Sequence, residues 1–155
     1  MASSVTADLL KQLSAASEGL NNVSDIFNDQ IKVIEEAIAS YNIGVAAWAQ
    51  SCALLERRWT EDGSAFEFTR HISIGYEKWQ GKWCLMVASW IPDIGESEKW
   101  VLRDAPRERR MQAISGIPEL LNKLIDEAQK LTAEITSKTT EARMLAASIK
   151  PKKGK

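Results

Sequence analysis

Any serine- or cysteine-based catalytic scheme in this chain would have to use His71, because it is the only histidine. Nothing in the neighbouring sequence positions it as a base, and a lone histidine among polar residues is more typical of a surface position. One histidine and two distant cysteines, Cys52 and Cys84, also fall short of a zinc-binding set. The chain lacks the GxxxxGK[ST], GxGxxG and GxSxG motifs. We therefore predict that the protein is not an enzyme and needs no cofactor or metal.

Two tryptophans and two lysines surround a tight turn at residues 80–81. Trp79 and Trp83 could offer rings for stacking on single-stranded nucleic acid, while Lys78 and Lys82 offer charges for phosphate. The same residues could instead form a cross-strand tryptophan pair that stabilises a hairpin, with the lysines facing solvent. We favour the second interpretation.

The densest cluster of arginines lies at residues 107–110, where it could bind phosphate or an acidic partner. Glu108 and the acidic N-terminal segment offer partners within the chain, so we favour a solvated basic helix. The two segments together supply the candidate interaction residues, which are Trp79, Lys82, Trp83, Arg107, Arg109 and Arg110.

Two heptad repeats flank the region that carries these residues. The first runs through positions 9, 13, 16, 20, 23, 27, 30, 34, 37 and 41, and the second through 117, 121, 124, 128, 131, 135, 138, 142, 145 and 149. Spacings that alternate between four and three keep one apolar seam towards a partner helix. We predict a first helix over about 4–41 and a long helix over about 118–149.

The first helix has a weak point at residues 19–24, where four of six residues are poor helix formers. A break there, with Ser24 capping a second helix, is the alternative. The heptad phase continues through the segment, so we prefer one continuous helix.

Residues 44–102 contain all six tryptophans and alternate in polarity, which is typical of strands. We predict strands near 44–58, 65–78, 82–90 and 98–102, joined as an antiparallel meander, with turns at 61–64 and 80–81. The second strand alternates, so one of its faces is buried. The third is apolar on both faces, so a helix, a loop or a second subunit must cover the second face.

After the sheet, Asp104 and Pro106 predict the start of a short helix over about 105–114. Pro118 then opens the long helix, and the basic tail 150–155 is predicted to be disordered. Residues 1–155 form one domain by this interpretation.

The two long helices are predicted to pack against each other. An even number of strands returns the chain to the end of the sheet where it entered, and the two stripes can then align, pairing for example Phe27 with Leu131 and Val23 with Ile135. The predicted fold is α+β: a long antiparallel helical hairpin, or coiled-coil-like stalk, with an inserted four-stranded antiparallel β-meander. Further apolar residues widen the stripes and predict a homodimer; they are Leu10, Ile26, Ile31, Ile38, Leu120 and Ile125.

The net charge of −1 conceals an asymmetry along the chain. Residues 1–41 hold six acids and two bases, and residues 105–155 hold eleven bases and six acids. We favour an acidic and a basic helix lying together over a basic surface for nucleic acid. No apolar run is long enough to span a membrane, and no leader pattern opens the chain, so we predict a cytoplasmic protein without membrane partners.

These features predict a non-catalytic interaction or assembly protein, a homodimeric adaptor or scaffold that uses its helical stalk and aromatic sheet. A further protein partner is possible. The alternative is a nucleic-acid-associated accessory protein that uses the basic helix, the lysine tail and the aromatic hairpin.

Overall fold

The computed structural model describes residues 2–149 and has an α+β fold. Its elements are α1 (Ala2–Ser40), β1 (Ala47–Trp59), β2 (Ala65–Trp79), β3 (Lys82–Ile91), β4 (Glu96–Val101), a 3-10 turn (Leu102–Asp104), α2 (Arg107–Ile114) and α3 (Ile117–Ser148). The four strands form one antiparallel sheet in the order β1-β2-β3-β4, which confirms the predicted meander. The predicted disordered tail lies outside the described residues.

The first helix is continuous through residues 19–24, so the alternative of a break there is wrong. Each polar residue of this segment lowers the stability of the helix by a fraction of a kcal/mol, and Gly19 lowers it by about 1 kcal/mol. Hydrogen bonding along an uninterrupted helix and the packing of its C-terminal half offset that cost.

The start of α2 differs from the prediction. Asp104 lies in the 3-10 turn and does not cap α2; Pro106 is the N-cap residue, and no side chain hydrogen-bonds to the cap. The preference of proline for extended backbone ahead of a helix explains the shift, since Pro106 has a φ of −51° and a ψ of 141°. In α3, Pro118 lies in the first turn as predicted.

One face of the sheet carries the hydrophobic core. Side chains of β2 alternate as predicted, and its Ile72 and Ile74 are fully buried together with Leu85 and Val87 of β3. The helices cover this face with a few buried residues, which are Ile31 and Ile38 of α1, Ala113 of α2, and Leu120 and Leu124 of α3. The core therefore uses only the part of each long helix that lies near the sheet.

The opposite face of β3 is covered by side chains of the sheet itself. Met86 is fully buried, and its ladder neighbour Gly75 lies directly beneath the ring of Trp48. The indole nitrogen of Trp48 donates to Glu77 Oε2 over 3.0 Å, and Lys99 forms an ion pair with Glu77. Lys99 Nζ also lies 5.4 Å from the Trp48 ring centre. Trp48, Glu77 and Lys99 therefore cover the face of β3 for which the sequence predicts a helix, a loop or a second subunit as the cover.

The structure does not confirm the predicted hairpin of the two long helices. The main packing contacts of α1 are with β3 and the 3-10 turn, whereas those of α3 are with β1 and β2. Val23 and Ile135, which were predicted to pair, are 58% and 56% exposed. The distal halves of both helices are exposed among the described residues, so they form no shared buried seam there.

The close approach of Trp48 to Gly75 predicts that one methyl group added at Gly75 lowers the stability of the fold. A Cβ at Gly75 would overlap the indole ring, which is held by Glu77 and Lys99, so Gly75→Ala should destabilise the fold by about 1–3 kcal/mol. In Gly19→Ala the new methyl group meets no atom within 4 Å and should add about 0.5–1 kcal/mol of stability. Urea unfolding followed by tryptophan fluorescence measures both; equal effects would contradict the packing described.

The hairpin between β1 and β2 predicts a pH-dependent contribution to stability. Hydrogen bonds from the hydroxyls of Ser64 and Thr60 and from the Ser64 amide lower the pKa of Asp62 from 3.8 to about 2. Because the pKa of Asp62 is lower in the folded state, its ionised carboxylate stabilises the fold fully above about pH 4. This stabilisation disappears as the pH falls through 2. Asp62→Ala should therefore lower the urea midpoint at pH 7 and lose most of that effect at pH 2. Glu61→Ala, at the exposed neighbour, should change neither midpoint; a pH-independent Asp62 effect would contradict the assignment.

Candidate functional site

The N-terminal part of α1 exposes a row of large apolar side chains. These residues form the α1 stripe, which comprises Val5, Leu9, Leu10, Leu13, Leu20, Val23 and Ile26. From Val5 to Val23 every residue of the helix is exposed. The stripe therefore lies outside the core of the chain, although its heptad spacing is that of a buried seam.

The C-terminal part of α3 exposes a second row, which begins beside the core. The α3 stripe comprises Leu121, Ile125, Leu131, Ile135, Met144 and Leu145, followed by Ile149 just beyond the helix. Every described residue after Ala128 is exposed. Scattered apolar residues are ordinary on a protein surface, but a continuous row along a helix marks a contact surface.

A groove between α1 and α2 continues the α1 stripe towards the sheet. It has a volume of about 380 Å³ and is lined by Leu20, Val23, Ser24, Phe27, Arg107, Met111 and Ile114. Arg107 closes one side, where its Nε donates to Ser24 Oγ over 3.2 Å and its Nη2 to Asn21 Oδ1 over 3.5 Å. These hydrogen bonds hold α2 against α1, so the two walls of the groove have a fixed position relative to each other.

A bulge in β1 anchors the other end of α2. The register between β1 and β2 shifts between Gln50 and Cys52, and Ser51 at that shift turns its hydroxyl towards α2. Ser51 Oγ lies 2.5 Å from the carbonyl oxygen of Gln112, to which it donates. Gly116 packs against Ser51 and Ile74 so closely that a Cβ would clash. The sheet thus holds α2 in place beside α1.

The predicted aromatic group is not a single surface. Trp79 pairs with Lys82 in the ladder, so Trp83, one residue further on, points to the opposite face. Trp83 stacks on Tyr76 with ring centres 5.4 Å apart, whereas the ring of Trp79 lies 5.5 Å from Lys99 Nζ. The prediction of a cross-strand tryptophan pair is therefore wrong, and the two rings do not share one face of the sheet.

The two-residue turn explains this outcome. Gln80 and Gly81 have φ values of 47° and 83°, the left-handed backbone of a tight hairpin turn. In such a turn the residues directly before and after it face each other, which places Trp79 opposite Lys82. A register read from the turn, rather than from the tryptophan spacing, would have found the correct arrangement.

The three predicted arginines of α2 point to three different places. Arg107 contacts α1, Arg109 donates to Gln112 Oε1 over 2.7 Å, and Arg110 donates to the carbonyl of Arg103 over 3.1 Å. The structure therefore does not bring them together as one basic surface. Helix rotation of about 100° per residue turns Arg109 away from Arg107, whereas Arg110, three residues from Arg107, is drawn aside by its hydrogen bond to the Arg103 carbonyl.

His71, Cys52 and Cys84 are the residues that the sequence offers for nucleophilic or acid–base chemistry. Gln50 Nε2 lies 3.4 Å from His71 Nδ1, and the ring of Trp90 lies 6.0 Å away. Burial raises the pKa of Cys52 and of Cys84, so both thiols are protonated at neutral pH. Among residues 2–149, no group of three histidine, cysteine or acidic side chains is arranged to hold a metal ion.

None of the helices within residues 2–149 combines the length and the apolar character that crossing a bilayer requires.

Comparison of the chain with models of protein families, with curated proteins and with solved structures gave no match.

Proposed function

We propose that this protein acts by binding rather than by catalysis, as an assembly protein whose chains associate through the α1 and α3 stripes. The observation that carries the proposal is the exposure of both stripes over the halves of the helices that extend away from the sheet. The groove between α1 and α2 extends the same surface to the core.

The physical support is the cost of leaving these side chains in water. Burial of one leucine or isoleucine side chain stabilises an interface by about 1.5–3 kcal/mol. Within residues 2–149 both stripes are exposed, and α1 and α3 make their main contacts with different elements of the fold. A second set of helices can bury them without moving either helix from the sheet.

A second copy of this chain is the partner that the matched heptads favour. The exposed half of α1, residues 5–23, holds two acids and one base, and the exposed half of α3, residues 129–149, holds three bases and two acids, so charge does not oppose their association. The matched heptads allow the pairs predicted within one chain, such as Val23 with Ile135, to form between two chains. The resulting stalk is an antiparallel four-helix assembly in a homodimer.

The three α2 arginines diverge, and this geometry gives no support to a nucleic-acid surface built on them. The aromatic hairpin gives no such support either, because its tryptophans face opposite sides of the sheet.

Sedimentation equilibrium of the full chain tests the proposal, with Leu13→Lys as the variant. Leu13 lies in the α1 stripe and is 65% exposed in the single chain, so lysine there should leave the fold intact. A charge in the seam should weaken dimerisation by about tenfold or more, which equals 1.4 kcal/mol. Ser14→Lys is the matched control, because it adds the same charge one residue away on an exposed position outside the heptad.

Wild-type chain and Ser14→Lys should sediment as dimers at micromolar concentration, while Leu13→Lys shifts towards monomer. Circular dichroism of the three proteins should agree, which separates loss of association from loss of fold. A monomeric wild type, or equal dimerisation of both variants, would overturn the proposal.

A further inference from the structure

A charged cleft lies on the helix-bearing face of the sheet, away from both stripes. Its volume is about 590 Å³, which is within the usual range of small-molecule sites. The side chains that define it are Arg58, Arg70, Ser89, Glu96, Glu98 and Arg109. Five of these six residues carry a full charge, so the cleft suits a polar or charged ligand.

Two of the arginines are already neutralised by acids of the chain. Arg58 binds Glu96 through two hydrogen bonds of 3.0 and 3.2 Å, which lower the pKa of that carboxyl group. Arg70 forms an ion pair with Glu56. These pairs build the walls of the cleft and leave little net charge of their own.

Arg70 also shows that the floor of the cleft is organised. Its side chain is only 11% exposed, and its Nη1 donates to Ser89 Oγ over 2.8 Å, where Ser89 is itself buried. The remaining Nη2 of Arg70 forms no hydrogen bond with any residue of the described chain. A nearly buried guanidinium with a free donor is a strong binding group for a carboxylate.

Two opposite charges on the rim remain without a charged partner. Arg109 of α2 donates to the neutral amide oxygen of Gln112, and no acid within residues 2–149 forms an ion pair with it. The side-chain carboxylate of Glu98, whose backbone belongs to the β3–β4 ladder, has neither a hydrogen bond nor an ion pair in the same range. Both line the cleft, yet they form no ion pair with each other.

The ladder places these two charges towards different sides. Glu98 lies opposite Ser89 on the edge strand, in a row that crosses Ile72 and ends at Cys52 of β1. Gln112, whose side chain accepts a hydrogen bond from Arg109, has its carbonyl oxygen 3.8 Å from Cys52 Sγ, which places this part of α2 over the β1 end of that row. The open cleft thus has a cationic side and an anionic side, with strands about 4.8 Å apart between them.

We propose that this cleft binds a small molecule carrying one carboxylate and one ammonium group, that is, a free amino acid or a short peptide. The carboxylate is bound by Arg109 and the free Nη2 of Arg70, and the ammonium by Glu98. A simple anion could bind the arginines, but it would be repelled by the unpaired carboxylate of Glu98. A simple amine could bind Glu98, but it would be repelled by Arg109.

Two-dimensional NMR of the full chain tests the proposal with defined probes. Glycine, 4-aminobutanoate and diglycine carry both charges at different separations, whereas butanoate and butylamine carry one each. We expect at least one doubly charged probe to shift the amide signals of residues 95–98 and 109 saturably. We expect butanoate and butylamine to bind about tenfold more weakly or not at all. Preference for diglycine identifies a peptide ligand, and preference for either of the others identifies a free amino acid.

Two variants and one control connect binding to the named charges. Glu98→Gln and Arg109→Gln should each weaken the preferred probe by about tenfold. Glu67→Gln breaks an exposed ion pair with Arg57 at the far end of the β1–β2 hairpin and should leave binding unchanged. Absence of saturable binding by every probe would overturn the proposal. Butanoate binding as tightly as 4-aminobutanoate, or full binding by either cleft variant, would also overturn it.

Discussion

The packing of two long helices on different parts of one small sheet is the constraint on which the rest of the structure depends. The sheet has four strands, and α1 covers β3 while α3 covers β1 and β2. In α1 the buried residues fall between Ser24 and Ile38, and in α3 the fully buried ones are Leu120 and Leu124. Each helix therefore has one half that packs in the core and one half whose apolar heptad positions are exposed among residues 5–149. The proposed self-association follows from this division.

The short helix α2 links the two surfaces that we propose to be functional. Arg107 on one side of it holds α1 and closes the apolar groove, and Arg109 on another side lines the charged cleft. Ser51 and Gly116 fix the C-terminal end of α2 to the bulge in β1. Because all these contacts act on one two-turn helix, its position determines the shape of both the groove and the cleft.

Local patterns in the sequence predicted the elements well, but not the contacts between them. Heptad spacing predicted both long helices, and strand alternation with the Gln80–Gly81 turn predicted the meander. Each of these patterns depends only on residues that are close in sequence. The helical hairpin was not confirmed, since a heptad stripe shows that a helix needs a partner without showing which one. The tryptophan pair was wrong because a one-residue difference in register reverses the face of a side chain. The cleft was not predicted, because Arg58, Arg70, Glu98 and Arg109 come from four separate elements.

Amide hydrogen exchange at two protein concentrations tests the central claim most directly. In the dimer, the halves of α1 and α3 that carry the exposed stripes gain partners, so amides near residues 9–23 and 131–145 should become more protected as concentration rises. Amides near residues 31–38, which already pack on the sheet, should be the internal reference. Protection that rises with concentration in the two distal segments, beyond any change in the reference, is the result that the account predicts. Equal exchange of those segments at both concentrations, with the chain monomeric throughout, would contradict it.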